Sequence, residues 1–258
     1  MQPIWLTSLG ISGKTVAKLI AGLKTYGLET MGNIWLDDLR SMAWISGLEP
    51  LIDKKPALWL ILGKAEDFSN PSIRYGLSLL TIAVRAKRGL AFPIIILQSG
   101  ENTIKSDRLT TPLESIDIIE ASDPTLSAKL VAKIHAVTKP KDIYYHIDVH
   151  GNQQVGQWFE VRPQHEKWPG VIFGVCGADI SFQAVGTAGN LPEKSVLEHP
   201  LRGMKITHGK KEFTAWAVQN EINPETGYYA QVAGFPDTIV FGPYTEGEGA
   251  DMYMVQLK

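Results

Sequence analysis

Residues 33–98 read NIWLDDLRSMAWISGLEPLIDKKPALWLILGKAEDFSNPSIRYGLSLLTIAVRAKRGLAFPIIILQ. Three apolar runs with strand character, Ile34–Leu36, Ala57–Leu62 and Phe92–Leu97, alternate with two helical patterns. Strands alternating with helices predict a parallel sheet with crossover helices. Ala57–Leu62 and Phe92–Leu97 are continuously apolar, as strands covered on both faces are. Ile73–Arg88 places Leu77, Leu80 and Val84 on one helical stripe. Trp44, Ile45, Leu48, Leu51 and Ile52 mark a shorter helix that Pro50 must shorten, kink or delay, because proline is tolerated best in a first turn. In such sheets ligands bind at the carboxyl ends of the strands.

The same alternation extends in both directions. Pro3–Leu9 reads as a strand and Thr15–Tyr26 as a helix, with Gly27 as its stop. Asn33–Asp38 is strand-like, Ser115–Glu120 is a further strand, and Asp123–Thr138 is a closing helix with Leu126, Leu130, Val131 and Ile134 on one face. At Lys139-Pro140-Lys141 the texture changes. Beyond it come only short runs: Ile143–Val149, Gln157–Arg162, Gly170–Val175, Ile180–Val185, Met204–His208, Phe213–Val218, Tyr228–Val232, Thr238–Phe241 and Met252–Leu257. Gly, Pro and Asn punctuate them, which predicts an antiparallel sandwich or barrel. The fold expected is a flavodoxin-like α/β domain over residues 1–140, followed by a β-rich domain over residues 141–258.

Composition narrows the function classes. The chain has 258 residues, 44% of them apolar, and a net charge of −2. Residues 1–140 carry 16 Lys+Arg against 13 Asp+Glu (+3), and residues 141–258 carry 9 against 14 (−5). So mild a balance argues against nucleic acid as the main partner. No apolar run approaches the roughly 20 residues that span a membrane, and MQPIWLTSLGISGK is not a signal-peptide pattern. Cys176 is the single cysteine. It excludes an internal disulfide and a Cys-rich zinc site, reads as a small buried hydrophobe, and suits a reducing, cytoplasmic location. The seven tryptophans read as core or interface anchors, with Trp158-Phe159 and Trp168-Pro169 as a candidate ligand surface.

Three constellations carry chemistry. The first strand leads into Ser8-Leu-Gly-Ile-Ser-Gly-Lys-Thr15 and a helix, close to a P-loop whose amides cradle phosphates. Ser8 stands where the first glycine belongs. Gly10, Ser12, Gly13 and Lys14 would hold a nucleotide, and Asp37 and Asp38 would imitate the acid that holds magnesium. The alternative is a glycine-bearing turn with a surface lysine.

Second, Asn33-Ile-Trp-Leu-Asp-Asp-Leu-Arg40, the helix around Gly47–Lys54, the central strand Leu58–Leu62 and the helix start Phe68-Ser-Asn-Pro-Ser-Ile-Arg-Tyr-Gly-Leu77 follow one another in a telling order. Over residues 3–110 this order resembles a Toll/interleukin-receptor (TIR) domain. The resemblance implies assembly with protein partners or self-association, and NAD or another nucleotide as ligand. NAD-hydrolysing members share a glutamate at the start of that helix, facing the nicotinamide ribose, where a carboxylate answers the positive charge of the transition state. Gly76 occupies the glutamate's position, so NAD cleavage does not carry over there. Glu66 and Asp67, in the preceding loop, are the candidate replacements; the alternative makes them solvated or capping acids. The loop after the second strand, an interaction surface in the family, is short here (Arg40–Ala43).

Third, His146-Ile-Asp148-Val-His150 places two imidazoles and a carboxylate on one face of a strand. These donors suit zinc, iron or manganese, with a fourth ligand from His165, His199, His208 or Glu160. The alternative is the polar face of a half-exposed strand. The expected function is a cytoplasmic signalling or interaction protein that combines a TIR-like domain lacking the catalytic glutamate with a β-rich recognition domain. The competing expectation is a hydrolase, either nucleotide-cleaving or metal-dependent at His146, Asp148 and His150.

Overall fold

The structure, a computed structural model, describes residues 1–136, 143–245 and 251–258. The chain divides into two compact units, Met1–Lys141 and Asp142–Lys258.

In the first unit the elements run β1 (Gln2–Ser8), α1 (Gly13–Lys24), β2 (Leu28–Ile34), α2 (Leu48–Asp53), β3 (Trp59–Gly63), α3 (Pro71–Arg88), β4 (Ile94–Gln98), β5 (Asp117–Glu120) and α4 (Leu126–His135). The five strands pair in parallel in the order β2-β1-β3-β4-β5, the flavodoxin-like order. Every residue of β3 and of β4 is buried, as their continuous apolar sequences require. One face of the sheet buries Ile4, Leu6, Leu60, Leu62, Ile95 and Leu97 with Leu23 of α1 and Leu126 and Leu130 of α4. By alternation Trp59 and Ile61 project to the other face. Below the strands Trp59 donates to Thr7 Oγ1 (3.0 Å), and Thr7 and Trp5 both donate to Asn33 Oδ1 (3.0 and 3.1 Å). These bonds tie three neighbouring strands together through buried and half-buried side chains.

Helix α3 starts where its sequence says. Asn70 accepts from Ser72 N, Pro71 fills the first turn, and Gly89 (φ +79°) ends it. Eleven of its 18 residues are buried, so it is enclosed far beyond a single apolar stripe. Leu77, Leu79 and Leu80 are fully buried, each contributing about 1.5–3 kcal/mol of burial. Of the polar residues it buries, Ser78 is paired, its Oγ 2.7 Å from both Arg74 O and Thr110 Oγ1, whereas the Thr81 hydroxyl has no hydrogen-bond partner among the described residues.

Some boundaries moved. Gly27 (φ +76°) returns the chain into the sheet at once, so β2 runs over Leu28–Ile34 and the expected strand over Asn33–Asp38 is only its end. As an edge strand with one neighbour, β2 buries only Leu28, is otherwise half-buried or exposed, and carries no apolar run. Leu36 and Ile34, which drew the sequence reading there, are 64% and 78% exposed. A 3-10 turn (Ala43–Gly47) leads into α2, which has Pro50 in its first turn and only six residues. Helix α4 begins at Leu126, three residues later than expected, because Asp123 folds back to accept from Thr125 N and Oγ1 (both 2.7 Å). Thr138 and the boundary at Lys139-Pro140-Lys141 lie outside the described residues.

The second unit contains β6 (Tyr145–Asn152), β7 (Gly156–Pro163), β8 (Val171–Cys176), β9 (Asp179–Thr187), β10 (Leu201–His208), β11 (Lys211–Val218), β12 (Thr226–Ala233), β13 (Thr238–Pro243) and β14 (Tyr253–Gln256). They form two antiparallel sheets, β10-β11-β8-β13-β14 and β6-β7-β12-β9. The architecture is a sandwich, which decides between the two expected forms. Phe159 and Tyr228 of one sheet pack on Phe173 of the other at 5.9 and 6.2 Å. Tyr145 meets Phe241 edge-on at 5.0 Å. Aromatic pairs at these separations add to simple burial.

Candidate functional site

The glycine-bearing turn after β1 is compact. Ser8 ends the strand and is buried, Gly10 takes φ +74°, and Ser12 caps α1 by accepting from Thr15 N (3.4 Å) while its hydroxyl pairs with that of Thr15 (3.0 Å). Gly13 and Lys14 open the helix and are exposed. Asp37 accepts from Ser72 Oγ (2.5 Å), and Asp38 accepts from Ser41 N (3.1 Å), a bond that lowers its pKa. The acids are thus engaged with α3 and their own turn, and the Thr15 hydroxyl with its cap.

Gly76 is buried in α3, and what fills its vacant side is specific. A Cβ there would stand 2.7 Å from Cζ2 and 3.2 Å from Cη2 of Trp35, and 3.5 Å from Cδ2 of Leu39. The indole of Trp35 therefore occupies the volume that a side chain at 76 would need. Glu66 and Asp67 follow β3. Glu66 Oε1 accepts from Asn102 Nδ2 (2.5 Å), and its carboxyl is held below its ordinary value by its own backbone N–H and by Asn102. Asp67 turns back to accept from Lys64 N (2.7 Å), closing its own loop. A cavity of about 430 Å³ lies between the loops after β3 and β4, lined by Glu66, Phe68, Asn70, Asn102, Ile104 and Arg108 among others. Glu66 borders it; Asp67 does not.

Among the described residues, a close group of chemistry-bearing side chains lies in the sandwich. The β6–β7 hairpin pairs Asp148 with Glu160, and β12 brings Tyr229 beside Glu160. Even-numbered residues of β6 and β7 point away from the sandwich core, which takes Val149, Phe159 and Val161. That outer face would ordinarily be wet. Here the segment after β9 covers it: Gly189 N donates to both Glu160 oxygens (3.0 and 3.1 Å), Thr187 O accepts from Tyr229 Oη (2.6 Å), and Ser195 Oγ accepts from Val185 N (2.7 Å). Glu160 and Asp148 are 0% and 1% exposed.

Within this cover, His150 Nε2 stands 2.6 Å from Glu160 Oε2 and 3.6 Å from Asp148 Oδ2, and Arg162 Nε donates to Glu160 Oε1 at 3.2 Å. Asp148 Oδ1 accepts from Val149 N at 2.7 Å. Donor atoms of Asp148, His150 and Glu160 all lie within 4.8 Å of one another. Burial pushes the Glu160 carboxyl up, but the hydrogen bond and charge of His150, the Gly189 N–H and the charge of His146 outweigh it, so the group is held below the usual carboxylate range. Burial and the neighbouring Glu160 push the Tyr229 hydroxyl above the normal tyrosine range, so it stays protonated. The arrangement can hold a proton between imidazole and carboxylate, or a cation among the three donors.

Of the expected metal set, Asp148 and His150 meet, and Glu160, one of four alternatives for a further ligand, joins them. His146 shares the strand face opposite Arg162 and falls outside the close group. Arg162, Tyr229 and Gly189 are absent from the sequence reading. Folding the chain back about Gln154 would have placed 160 opposite 148, but β12 and the covering segment leave no such local signal. Cys176 ends β8 half-buried rather than fully buried, because it sits at the strand's exposed end. Phe159 and Trp168 are buried, and of the expected aromatic ligand surface only Trp158 remains half-exposed, edge-on to Phe182 at 5.9 Å.

No family model matches the chain, and no curated protein does. Among solved structures the chain is similar to a response regulator protein from Burkholderia multivorans, known from a solution structure. The identity is 20%, the match covers 54% of this chain and 99% of that one, and the TM-score is 0.34. Among the described residues no helix is long and apolar enough to cross a membrane.

Proposed function

We propose that this is a signalling or interaction protein of the cytoplasm whose α/β unit is a TIR-like assembly module without NAD-cleaving activity, joined to a β-sandwich that recognises a partner or small ligand. The observation that carries this reading is the Trp35 indole against Gly76. A glutamate in its place would have to displace an aromatic ring, and no acid faces that volume from α3. Self-association is supported by the free edge of β2, where Ile34 and Leu36 leave apolar surface in water. Incubation of the purified protein with NAD⁺ should release no nicotinamide. Light scattering should give a mass above the monomer that falls in Ile34→Asp/Leu36→Asp. NAD⁺ turnover lost in Glu66→Gln would overturn the non-catalytic reading.

A second reading has its own support. Glu66, fixed by Asn102 at the edge of the cavity between the β3 and β4 loops, is a carboxylate positioned where open α/β sheets bind ligands. Hydrolysis of a nucleotide other than NAD⁺, sensitive to Glu66→Gln, would establish that reading.

A further inference from the structure

The α/β reading leaves the buried charges of the sandwich unexplained. Carboxylates are almost never fully buried unless paired, and Asp148 and Glu160 are buried side by side on adjacent strands, both facing His150 and Glu160 also facing Arg162. A buried negative pair requires compensating positive charge. Arg162 supplies one permanent charge to Glu160. His150 stands against both acids, and a cation among the three donors would add further positive charge where the two carboxylates face each other.

We propose that Asp148, His150 and Glu160 form a binding site for a first-row divalent cation of the zinc or manganese class, with Arg162 and Gly189 as its supporting shell. The geometry favours it in three respects. First, donors around a tetrahedral ion with bonds of about 2.0–2.2 Å stand roughly 3.3–3.6 Å apart. The His150 Nε2–Asp148 Oδ2 separation of 3.6 Å meets that value, and the 2.6 Å contact with Glu160 Oε2 would open on binding. Second, the carboxylates are held by neighbouring donors. Arg162 and Gly189 N hold Glu160 Oε1, Gly189 N also reaches Oε2, which faces His150, and Val149 N engages Asp148 Oδ1 while Oδ2 faces His150. Fixing ligating carboxylates in this way is what second-shell partners do. Third, one nitrogen and two oxygens suit borderline cations better than calcium or magnesium, which take oxygen alone. Three protein ligands leave further coordination positions, and the partly exposed His150 (12%) keeps the group in reach of water. His146 belongs to the surroundings rather than to the ligand set.

The test uses the full chain, purified without chelator and titrated calorimetrically with Zn²⁺ and with Mn²⁺, with Mg²⁺ as control. One equivalent of Zn²⁺ or Mn²⁺ should bind, and His150→Ala and Glu160→Gln should weaken it by about 100-fold or more, with His146→Ala near the parent and Arg162→Lys weaker by about 10-fold. Circular dichroism establishes that each variant is folded. Should Glu160→Gln fail to fold, Asp148→Asn takes its place. A Co²⁺-loaded sample supplies a readout apart from affinity, since its visible absorption reports nitrogen–oxygen ligation and should vanish in His150→Ala. Substoichiometric binding, or binding unchanged in His150→Ala, overturns the proposal and leaves the cluster as a proton-bridged charge network.

Discussion

Replacing Gly76 by alanine tests the packing on which the functional reading depends. In a helix interior, glycine to alanine alone gains about 0.8–1.0 kcal/mol. Here the new Cβ would lie 2.7 Å from Trp35 Cζ2, and overpacking of that kind costs about 1–3 kcal/mol. The sum runs from neutral to about 2 kcal/mol destabilising. With Trp35 shortened to alanine the obstacle is gone, and Gly76→Ala should then stabilise by nearly its full helix-propensity gain. The double-mutant cycle should therefore show a coupling of about 1–3 kcal/mol. Every α-helix of the described chain lies in the first unit, so urea unfolding followed by helical circular dichroism reads that unit directly. A coupling below about 0.5 kcal/mol, within the additivity of independent sites, would refute the claim that Trp35 fills the space at 76. The same geometry predicts that Gly76→Glu costs more than alanine and does not create NAD⁺ hydrolysis.

Three further outcomes are expected. Arg162→Ala removes a charged donor from buried Glu160 and should destabilise the sandwich by about 1.5–3 kcal/mol, measured by urea denaturation; a loss under about 0.5 kcal/mol would mean that His150 and Gly189 suffice. Asp123 is held at about 2, below its ordinary 3.8, by Lys129 and Thr125. Its folded value is the lower one, so its contribution is present above pH 3.8 and is lost as pH falls through about 2. A carbon-detected NMR titration should find that midpoint, and Lys129→Ala should raise it. A Cβ at Gly186 would stand 2.5 Å from Pro192 Cβ, so Gly186→Ala should lift the covering segment and speed tryptic cleavage at Lys194, whereas an unchanged cleavage rate would show that the segment accommodates the methyl.

What the sequence disclosed follows from how local each determinant is. β3, β4 and α3 were legible because full burial writes itself as uninterrupted apolar residues or a strong helical stripe. β2 was misplaced because an edge strand contacts one neighbour and carries no such run; Ile34, Trp35 and Leu36 attracted the assignment although two of them face water. The nine strands of the sandwich were legible from punctuation by Gly, Pro and Asn, but their order in two sheets was not, since β8 pairs with β11 and β13, far away in sequence. In the candidate site, the i, i+2, i+4 spacing revealed the shared face of His146, Asp148 and His150. Which of them gathers with Glu160 depends on hairpin register and on the segment that buries the face, and both are tertiary facts. The meaning of Gly76 was half legible: the missing acid was visible, the ring that replaces it was not.

The short separation of the clustered donors has a consequence for how the site comes into being. Asp148 and Glu160 are joined by the β6–β7 turn, where Asn152 Oδ1 accepts from Gln154 N and Val155 N. Hairpins close in about 1–10 μs, whereas strands paired across long sequence separations must wait for costly loop closure. The imidazole and both acids can thus gather before the rest of the sandwich exists, and the covering segment seals a group already in register. The hairpin is in effect a cassette that carries its chemistry with it. It also carries its own point of failure: one residue inserted between Asn152 and Gly156 would reverse the faces of β7, turning Phe159 outward and driving Glu160 into the aromatic interior.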